Sequence, residues 1–372
     1  MSMVSRKLWQ ALGVAGGIAG AAGAAVGVGV ATHKRHEIAK DRRRLAGELD
    51  AEGGQPGAQP PRTSSSVMAD DGIRLACEEL APRTGDPALT VVLVHGFALD
   101  RRTWHFQARD LPRMTDPAVR TVLYDQRSLG RSERAPKDSC TIEQLGRDLD
   151  AVIRALAPEG PLVLVGHSMG GMTLMALAEQ RPQLFTDRVL GVGLVSTSAG
   201  ELGSAGLSGS LLSRFNPATR ALGALAALQP KLVETGRKAL GDVIWSITRK
   251  FAFGDQKVDK ALVDLVDTMI SANAVDALMD FVGTVGTHDR VAALPALATC
   301  ELLVVHGTAD QVIPVSHGEL IAAELPKAEF LELEGVGHMP MLERHEEVEA
   351  AIEDLIRRSA ARLPQETGRR RA

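Results

Sequence analysis

The chain is predicted to be an α/β protein: a mostly parallel central sheet flanked by helices, with a helical segment inserted into it. Three observations predict this. Short, unbroken apolar runs at residues 90–94, 121–124, 162–165, 189–195 and 301–305 have the composition of strands buried on both faces of a parallel sheet. Segments of helical period separate them, and connections between parallel strands need such crossovers. The alternation lapses over residues 200–292 and then resumes, and that stretch is too long for a plain loop in a compact domain.

Taken in order, residues 8–31 carry no charged side chain and are long enough to cross a bilayer. Residues 1–33 are therefore expected to be a membrane segment. Arg6 and Lys7 precede it, while Lys34, Arg35, Lys40, Arg42, Arg43 and Arg44 follow. That excess predicts a single-pass topology with the bulk of the chain on the cytoplasmic side. A cleaved export signal and a soluble Gly/Ala linker are the competing readings. Gly13 and Gly17, Gly16 and Gly20, and Gly23 and Gly27 have the spacing that lets membrane helices pair closely, which raises a weak homodimer. Residues 34–66 read as a basic and then flexible Pro- and Gly-bearing tether.

The globular part is expected in two stretches, 67–199 and 293–358. Strands at 67–69 and 73–79 pair across Asp70-Asp71-Gly72. Residues 90–94 run into His95-Gly96-Phe97, and 121–124 end in Asp125-Gln126-Arg127-Ser128-Leu129-Gly130-Arg131-Ser132. A helix at 142–156 leads to the strand 162–165, a helix at 172–180 and the strand 189–195. The insertion, 200–292, repeats apolar residues at helical period: Leu222, Leu225, Leu228 and Leu232, then Val243, Ile244, Phe251, Leu262, Leu265, Val266 and Met269. It reads as a helical lid. Strands at 301–305 and 328–333 and a closing helix at 343–357 follow. Residues 359–372, with Arg369-Arg370-Arg371, form a basic tail.

The bulk numbers limit the function classes. Hydrophobic content of 45% and charged content of 24% are globular values. A net charge of -4 gives no reason to expect nucleic acid as a partner. Cys77, Cys140 and Cys300 are scattered, without the spacing of a disulfide framework or a zinc site, and read as reduced core thiols. There is no metal-ligand cluster and no phosphate-binding Gly-Lys-Ser/Thr loop.

The stretch 161–172, PLVLVGHSMGGM, carries the chemistry. Strand, Gly166-His167-Ser168-Met169-Gly170, then helix is the pattern of a nucleophile elbow, whose glycines are needed because a Cβ there would clash with strand or helix. The competing reading of Ser168 is an ordinary helix N-cap. Context favours the elbow. HGF, DQRSLGRS, GHSMGG, GTADQVIP and GVGHMP occur in the order and spacing of the α/β-hydrolase superfamily. Over residues 67–358 the chain resembles that superfamily's cofactor-free esterases, lipases and perhydrolase-like enzymes.

The resemblance implies an α/β-hydrolase fold and a serine hydrolase cleaving carboxylic esters through an acyl-enzyme; the Leu, Val and Phe content of the lid, together with the membrane segment, points to apolar acyl or lipid-like groups. It implies no cofactor and no metal. A serine hydroxyl needs a base, and the base needs a third group to fix its tautomer. Ser168 is the expected nucleophile. Among ten histidines, His338 in Gly335-Val336-Gly337-His338 follows the last strand, where this fold presents its base. His167 points away, His95 and His306 read as loop-shaping, and His345 is the runner-up. Asp310, after strand 301–305, gives the order Ser, Asp, His. The other place relatives use for the acid, residues 196–200, holds no carboxylate. The alternative for Asp310 is an Asx-turn cap. The backbone N–H groups of Phe97 and Met169 are the expected oxyanion hole.

Ser128 replaces the glycine usual in the family's D-x-R-G-x-G-x-S loop, where Asp125 and Arg127 are expected to pin neighbouring loops. A serine nucleophile argues against the epoxide-hydrolase and dehalogenase branches. Thioesterase, acyltransferase, amidase and perhydrolase remain as readings of the same triad, and a non-enzymatic scaffold as a third class.

Overall fold

The computed structural model describes residues 62–200, 241–255 and 257–363. The hydrophobic N-terminal segment with its glycine spacings, nearly all of the tether, the first part of the insertion with Leu222, Leu225, Leu228 and Leu232, and the basic tail beyond residue 363 lie outside the described residues. Among the described residues no helix is long and apolar enough to cross a membrane.

The sheet is built from β1 (Arg62–Met68), β2 (Arg74–Leu80), β3 (Leu89–Val94), β4 (Val119–Tyr124), β5 (Leu162–His167), β6 (Val189–Val195), β7 (Glu301–Gly307) and β8 (Glu329–Leu333). Its order is β1-β2-β4-β3-β5-β6-β7-β8. β2 pairs antiparallel with β1 and with β4, and every other pairing is parallel. The long apolar runs became the parallel strands, as their composition requires. Within β3, Val91 and Leu93 enter one core layer while Val92 and Val94 enter the other. Successive side chains alternate faces, so a strand covered on both sides must be apolar throughout.

Between the strands lie α1 (His105–Asp110), α2 (Ile142–Leu156), α3 (Met169–Gln180) and α4 (Pro182–Asp187). The described part of the insertion is helical: α5 (Gly241–Ala252), α6 (Lys260–Ala272) and α7 (Val275–Gly286). Then come α8 (Ser316–Glu324), α9 (Pro340–Glu343) and α10 (His345–Ala361). Val263, Val266 and Met269 of α6 pack into the same apolar cluster as Leu99 and Trp104, which seats the insertion on the loop after β3.

Three boundaries differ from the expectations. β1 starts at Arg62, pairing Arg62 with Leu80 through Met68 with Arg74, whereas the sequence reading carries the tether to residue 66. Its side chains are mostly exposed, so an edge strand held by backbone pairing leaves no apolar alternation to read. α3 begins at Met169, not 172, because the helix starts directly from the elbow. The closing helix is split at Arg344, whose φ of -131° breaks the helical run, and it continues to Ala361 with Ser359 buried, so the first residues expected as tail are helix.

Candidate active site

The sheet's C-terminal edge carries the candidate residues. Ser168 lies between β5 and α3 at φ 53° and ψ -119°, a conformation that is strained for a residue with a Cβ. Its neighbours explain how the chain passes there. A Cβ at Gly166 would lie 2.6 Å from the Gly170 carbonyl carbon, and one at Gly170 would run into the Val94 carbonyl oxygen. The Ser168 N–H donates to Val195 O at 2.9 Å, and Thr197 Oγ1 donates to Ser168 O at 2.7 Å. The Ser168 hydroxyl makes no capping hydrogen bond to the helix that follows, so the N-cap alternative does not describe it.

Asp310 and His338 are brought together directly. His338 Nδ1 donates to Asp310 Oδ2 at 2.8 Å, with the carboxylate side chain fully buried. That bond puts the proton on Nδ1 and leaves Nε2 as the free basic nitrogen. The other oxygen, Oδ1, accepts from Val312 N at 2.8 Å and Ile313 N at 2.9 Å. The Asx-turn alternative for Asp310 is thus real, but it uses the oxygen that His338 does not. His345 stands elsewhere: it stacks on Phe106 with centroids 3.8 Å apart, and its Nδ1 donates to Glu349 Oε2 at 3.3 Å.

Three buried histidines shape the surrounding loops. His167 Nε2 donates to the His338 carbonyl at 2.9 Å, and the two rings lie 4.8 Å apart, which sets His338 beside the elbow. His95 Nε2 accepts from Gln126 N at 2.9 Å, so Nδ1 carries the proton it donates to Gly96 O at 2.8 Å. Gln126 Nε2 returns a bond to His95 O at 2.6 Å and its Oε1 accepts from Thr173. His306 Nε2 donates to Ile313 O at 2.8 Å. Burial holds all three imidazoles below their ordinary range, His167 well below it. They are neutral at physiological pH.

Phe97 follows His95-Gly96, whose glycine lies so close to the elbow that a Cβ would sit 2.8 Å from His167 Nδ1 and 3.1 Å from Ser168 Cβ. Met169 is wholly buried. Phe97 packs against a cluster that joins Met169 and Met172 to Phe281 and Val285 of α7 and to Ile313 in the loop of Asp310. Asp125 and Arg127 pin loops: Asp125 accepts from the N–H groups of Arg101 at 2.9 Å and Arg131 at 2.8 Å. Ser128 sits at φ 63°, which is why glycine is usual at that place. Its hydroxyl accepts from Ala135 N at 2.9 Å and Arg134 Nη1 at 3.2 Å.

The carboxylates of Asp70, Asp71 and Asp148 lie within 4.8 Å of one another, a spacing that can hold a cation. Arg127 occupies that role, with Nε and Nη2 each donating to Asp148 at 2.6 Å and Nη1 donating to Asp71 at 2.7 Å. The three cysteines are buried and unpaired. Burial pushes the Cys77 thiol up to about 12 and Cys300 up to about 11, so neither offers a thiolate nucleophile.

One participant escaped the sequence reading. Asn273 at the end of α6 is buried and bonds both the loop after β3 and the loop after β4. The only signal was scarcity, since Asn216 and Asn273 are the only asparagines in the chain.

A strand–elbow–helix with a buried carboxylate–imidazole pair on an eight-stranded sheet defines a hydrolase of the α/β class. Residues 91–351 match the alpha/beta hydrolase family, and the chain belongs to that family. It is 31% identical over 322 residues to the dihydrolipoyllysine-residue acetyltransferase component of the acetoin cleaving system of Pseudomonas putida, covering 85% of this chain and 75% of that one. It is 25% identical over 263 residues to a monoacylglycerol lipase of Mycolicibacterium smegmatis, covering 70% of this chain and 83% of that one. Among solved structures, a thermophilic esterase from Thermogutta terrifontis superposes with a TM-score of 0.62 at 25% identity, covering 80% of this chain and 99% of the esterase.

Proposed function

We propose that the protein is a serine hydrolase that cleaves carboxylic esters with apolar acyl or lipid-like groups. Ser168 Oγ attacks the ester carbonyl while its proton passes to His338 Nε2. Asp310 holds the imidazole in the productive tautomer and stabilises the imidazolium. The tetrahedral oxyanion takes N–H bonds from Phe97 and Met169. His338 then protonates the departing alcohol, and water, deprotonated by the same nitrogen, releases the acid from the acyl-enzyme.

The observation that carries this reading is the 2.8 Å bond from His338 Nδ1 to Asp310, made where His338 meets His167 of the elbow, whose serine is strained and not engaged in capping. The apolar substrate class is supported by the Phe97, Met169, Phe281 and Ile313 cluster next to the elbow. Similarity to an acetyltransferase component favours one second reading, in which an alcohol or thiol acceptor replaces water. We also propose that residues 8–31 anchor the chain in a membrane as a single pass, with the hydrolase on the cytoplasmic side.

The test is fluorophosphonate labelling together with p-nitrophenyl ester hydrolysis across acyl lengths. Ser168→Ala is expected to abolish labelling and lower turnover by roughly 10⁴-fold or more. A Ser168→Ala variant as active as the wild type would overturn the assignment. Added alcohol or thiol acceptors that divert product from acid to ester or thioester would select the transferase reading.

A further inference from the structure

Asn273 is the C-cap residue of α6 and is 4% exposed. Its Nδ2 donates to the carbonyl oxygens of Met269 and Ala98, both at 2.9 Å, and its Oδ1 accepts from Gly130 N at 3.0 Å. The Met269 bond is a local matter, since the last turn of a helix leaves carbonyls without partners. The other two are not needed by the helix. They tie the lid to the loops that follow β3 and β4.

The loop after β3 carries Phe97, and its turn is weakly self-supporting. Leu99 N reaches Gly96 O at 3.4 Å, long for a hydrogen bond. Ala98 sits at φ 62°, the sign of φ that glycine or asparagine supplies at the third position of such a turn. A residue with a Cβ is strained at that φ, so contacts from outside the turn must hold it. Asn273 grips the carbonyl of the strained residue itself. One turn earlier on α6, the Met269 sulfur accepts from Thr103 Oγ1 at 3.8 Å, which seats the same end of the helix on the same loop.

We propose that Asn273 is a positioning residue for the oxyanion hole. Through the Ala98 carbonyl it fixes the loop that aims the Phe97 N–H, so that donor is in place only while α6 is seated. This rests on the hydrolase reading, in which Phe97 and Met169 supply the donors. The lid then does more than cover the site, because its seating and the completion of the oxyanion hole are one event.

Phosphonylation of Ser168 by a fluorophosphonate reads this without knowledge of the natural substrate. The Oγ–P bond forms, fluoride leaves, the hydroxyl proton passes to His338, and the phosphoryl oxygen needs the same two donors. Full-length wild type is compared with Asn273→Ala and Asn273→Asp for labelling rate, kcat, KM and Tm. Aspartate keeps the acceptor for Gly130 but has no N–H for Ala98. Since losing one oxyanion donor costs about 10²–10³ in kcat, both variants are expected to label roughly ten-fold slower or worse, with kcat falling in step and KM changing by less than about three-fold. Adding Ala98→Gly to Asn273→Ala supplies a residue that takes positive φ freely, and is expected to recover labelling by about three-fold or more.

A residue that merely caps α6 would lower Tm, and Ala98→Gly would then recover nothing. Unchanged labelling in both Asn273 variants, or no recovery on adding Ala98→Gly, overturns the proposal. Ser168→Ala and His338→Ala run alongside separate the two layers. Labelling that survives in either, or that is absent from wild type, overturns the hydrolase reading itself and the role of Asn273 with it.

Discussion

Ala98, Ser128, Ser168 and Ser196 are the non-glycine residues with positive φ among the described residues, at 62°, 63°, 53° and 44°. They follow β3, β4, β5 and β6 in turn, so the backbone strain gathers on the edge that carries the candidate site, where functional sites store it. Each is held differently. Ser128 uses its hydroxyl to accept from Ala135 N and Arg134, which offsets the strain of a side chain in a glycine position. Ser196 has no such return, because its Oγ is buried without a hydrogen-bond partner. Ser196→Gly is therefore expected to stabilise the fold by about 1 kcal/mol, relieving the left-handed strain and removing an unsatisfied hydroxyl. Denaturant titration checks it, and a lowered midpoint would refute it.

The neutral histidines predict a pH dependence at the same scale. Unfolded, a histidine takes its proton near pH ~6.5. In the fold, burial keeps His95, His167 and His306 from doing so, and burial followed by the Arg290 charge lowers His288 to about 4. Below the unfolded value the unfolded chain binds more protons than the native one, so stability must fall as pH falls. These histidines are expected to lower Tm between about pH 6.5 and 4, each contributing up to about 1.4 kcal/mol per pH unit, and to add no pH dependence above about pH 7. A Tm that rises on acidification through that window would contradict it.

At the scale of elements, Arg127 is the fastener between the loop after β4, the turn between β1 and β2, and α2. Its side chain is fully buried, as is that of Asp148. Every guanidinium N–H has a partner: Nε and Nη2 on Asp148, Nη1 and Nη2 on Asp71, and Nη1 on Ser139 Oγ at 2.9 Å. Asp148 and Asp71 hold Arg127 above its ordinary range although burial opposes the charge. Arg127→Ala would leave Asp148 buried and unpaired, and is expected to destabilise the fold by about 3–5 kcal/mol. Arg127→Lys should rescue little, because an ammonium lacks the planar fork that engages two carboxylates. Urea denaturation of the two variants checks both statements, and a lysine variant of wild-type stability would refute the second.

At the scale of the whole molecule, the proposed anchor makes a separate prediction. Full-length protein is expected to sediment with membranes and to resist extraction by high salt, while a chain lacking residues 1–33 stays in the supernatant. A full-length protein released by salt alone would indicate surface association and remove the single-pass proposal. Protease sensitivity in sealed vesicles of either orientation reads the side on which the hydrolase lies.

Much of this architecture was legible from residue order. Strands covered on both faces have to be apolar at every position, so β3 to β7 announced themselves as runs. The elbow did so through glycines at which a Cβ would collide with Gly170 or Val94. Asp310 and His338 were readable because each follows a recognisable strand, and their hydrogen bond joins the residues that those positions single out. What stayed hidden has one physical character. β1 over residues 62–66 is stabilised by backbone pairing, which writes nothing on side chains. Asn273 reaches Ala98 across 175 positions of sequence, and His95 and His167 each grip main-chain atoms of another loop. Sequence by itself determined the buried strands β3 to β7, the helices α2 and α3 that flank the elbow strand, and which residue types stand at the strand ends, because burial and backbone sterics act locally. Only the tertiary structure decided which loops those residues hold and which nitrogen of each histidine carries the proton, because hydrogen bonds are made to whatever the fold brings near.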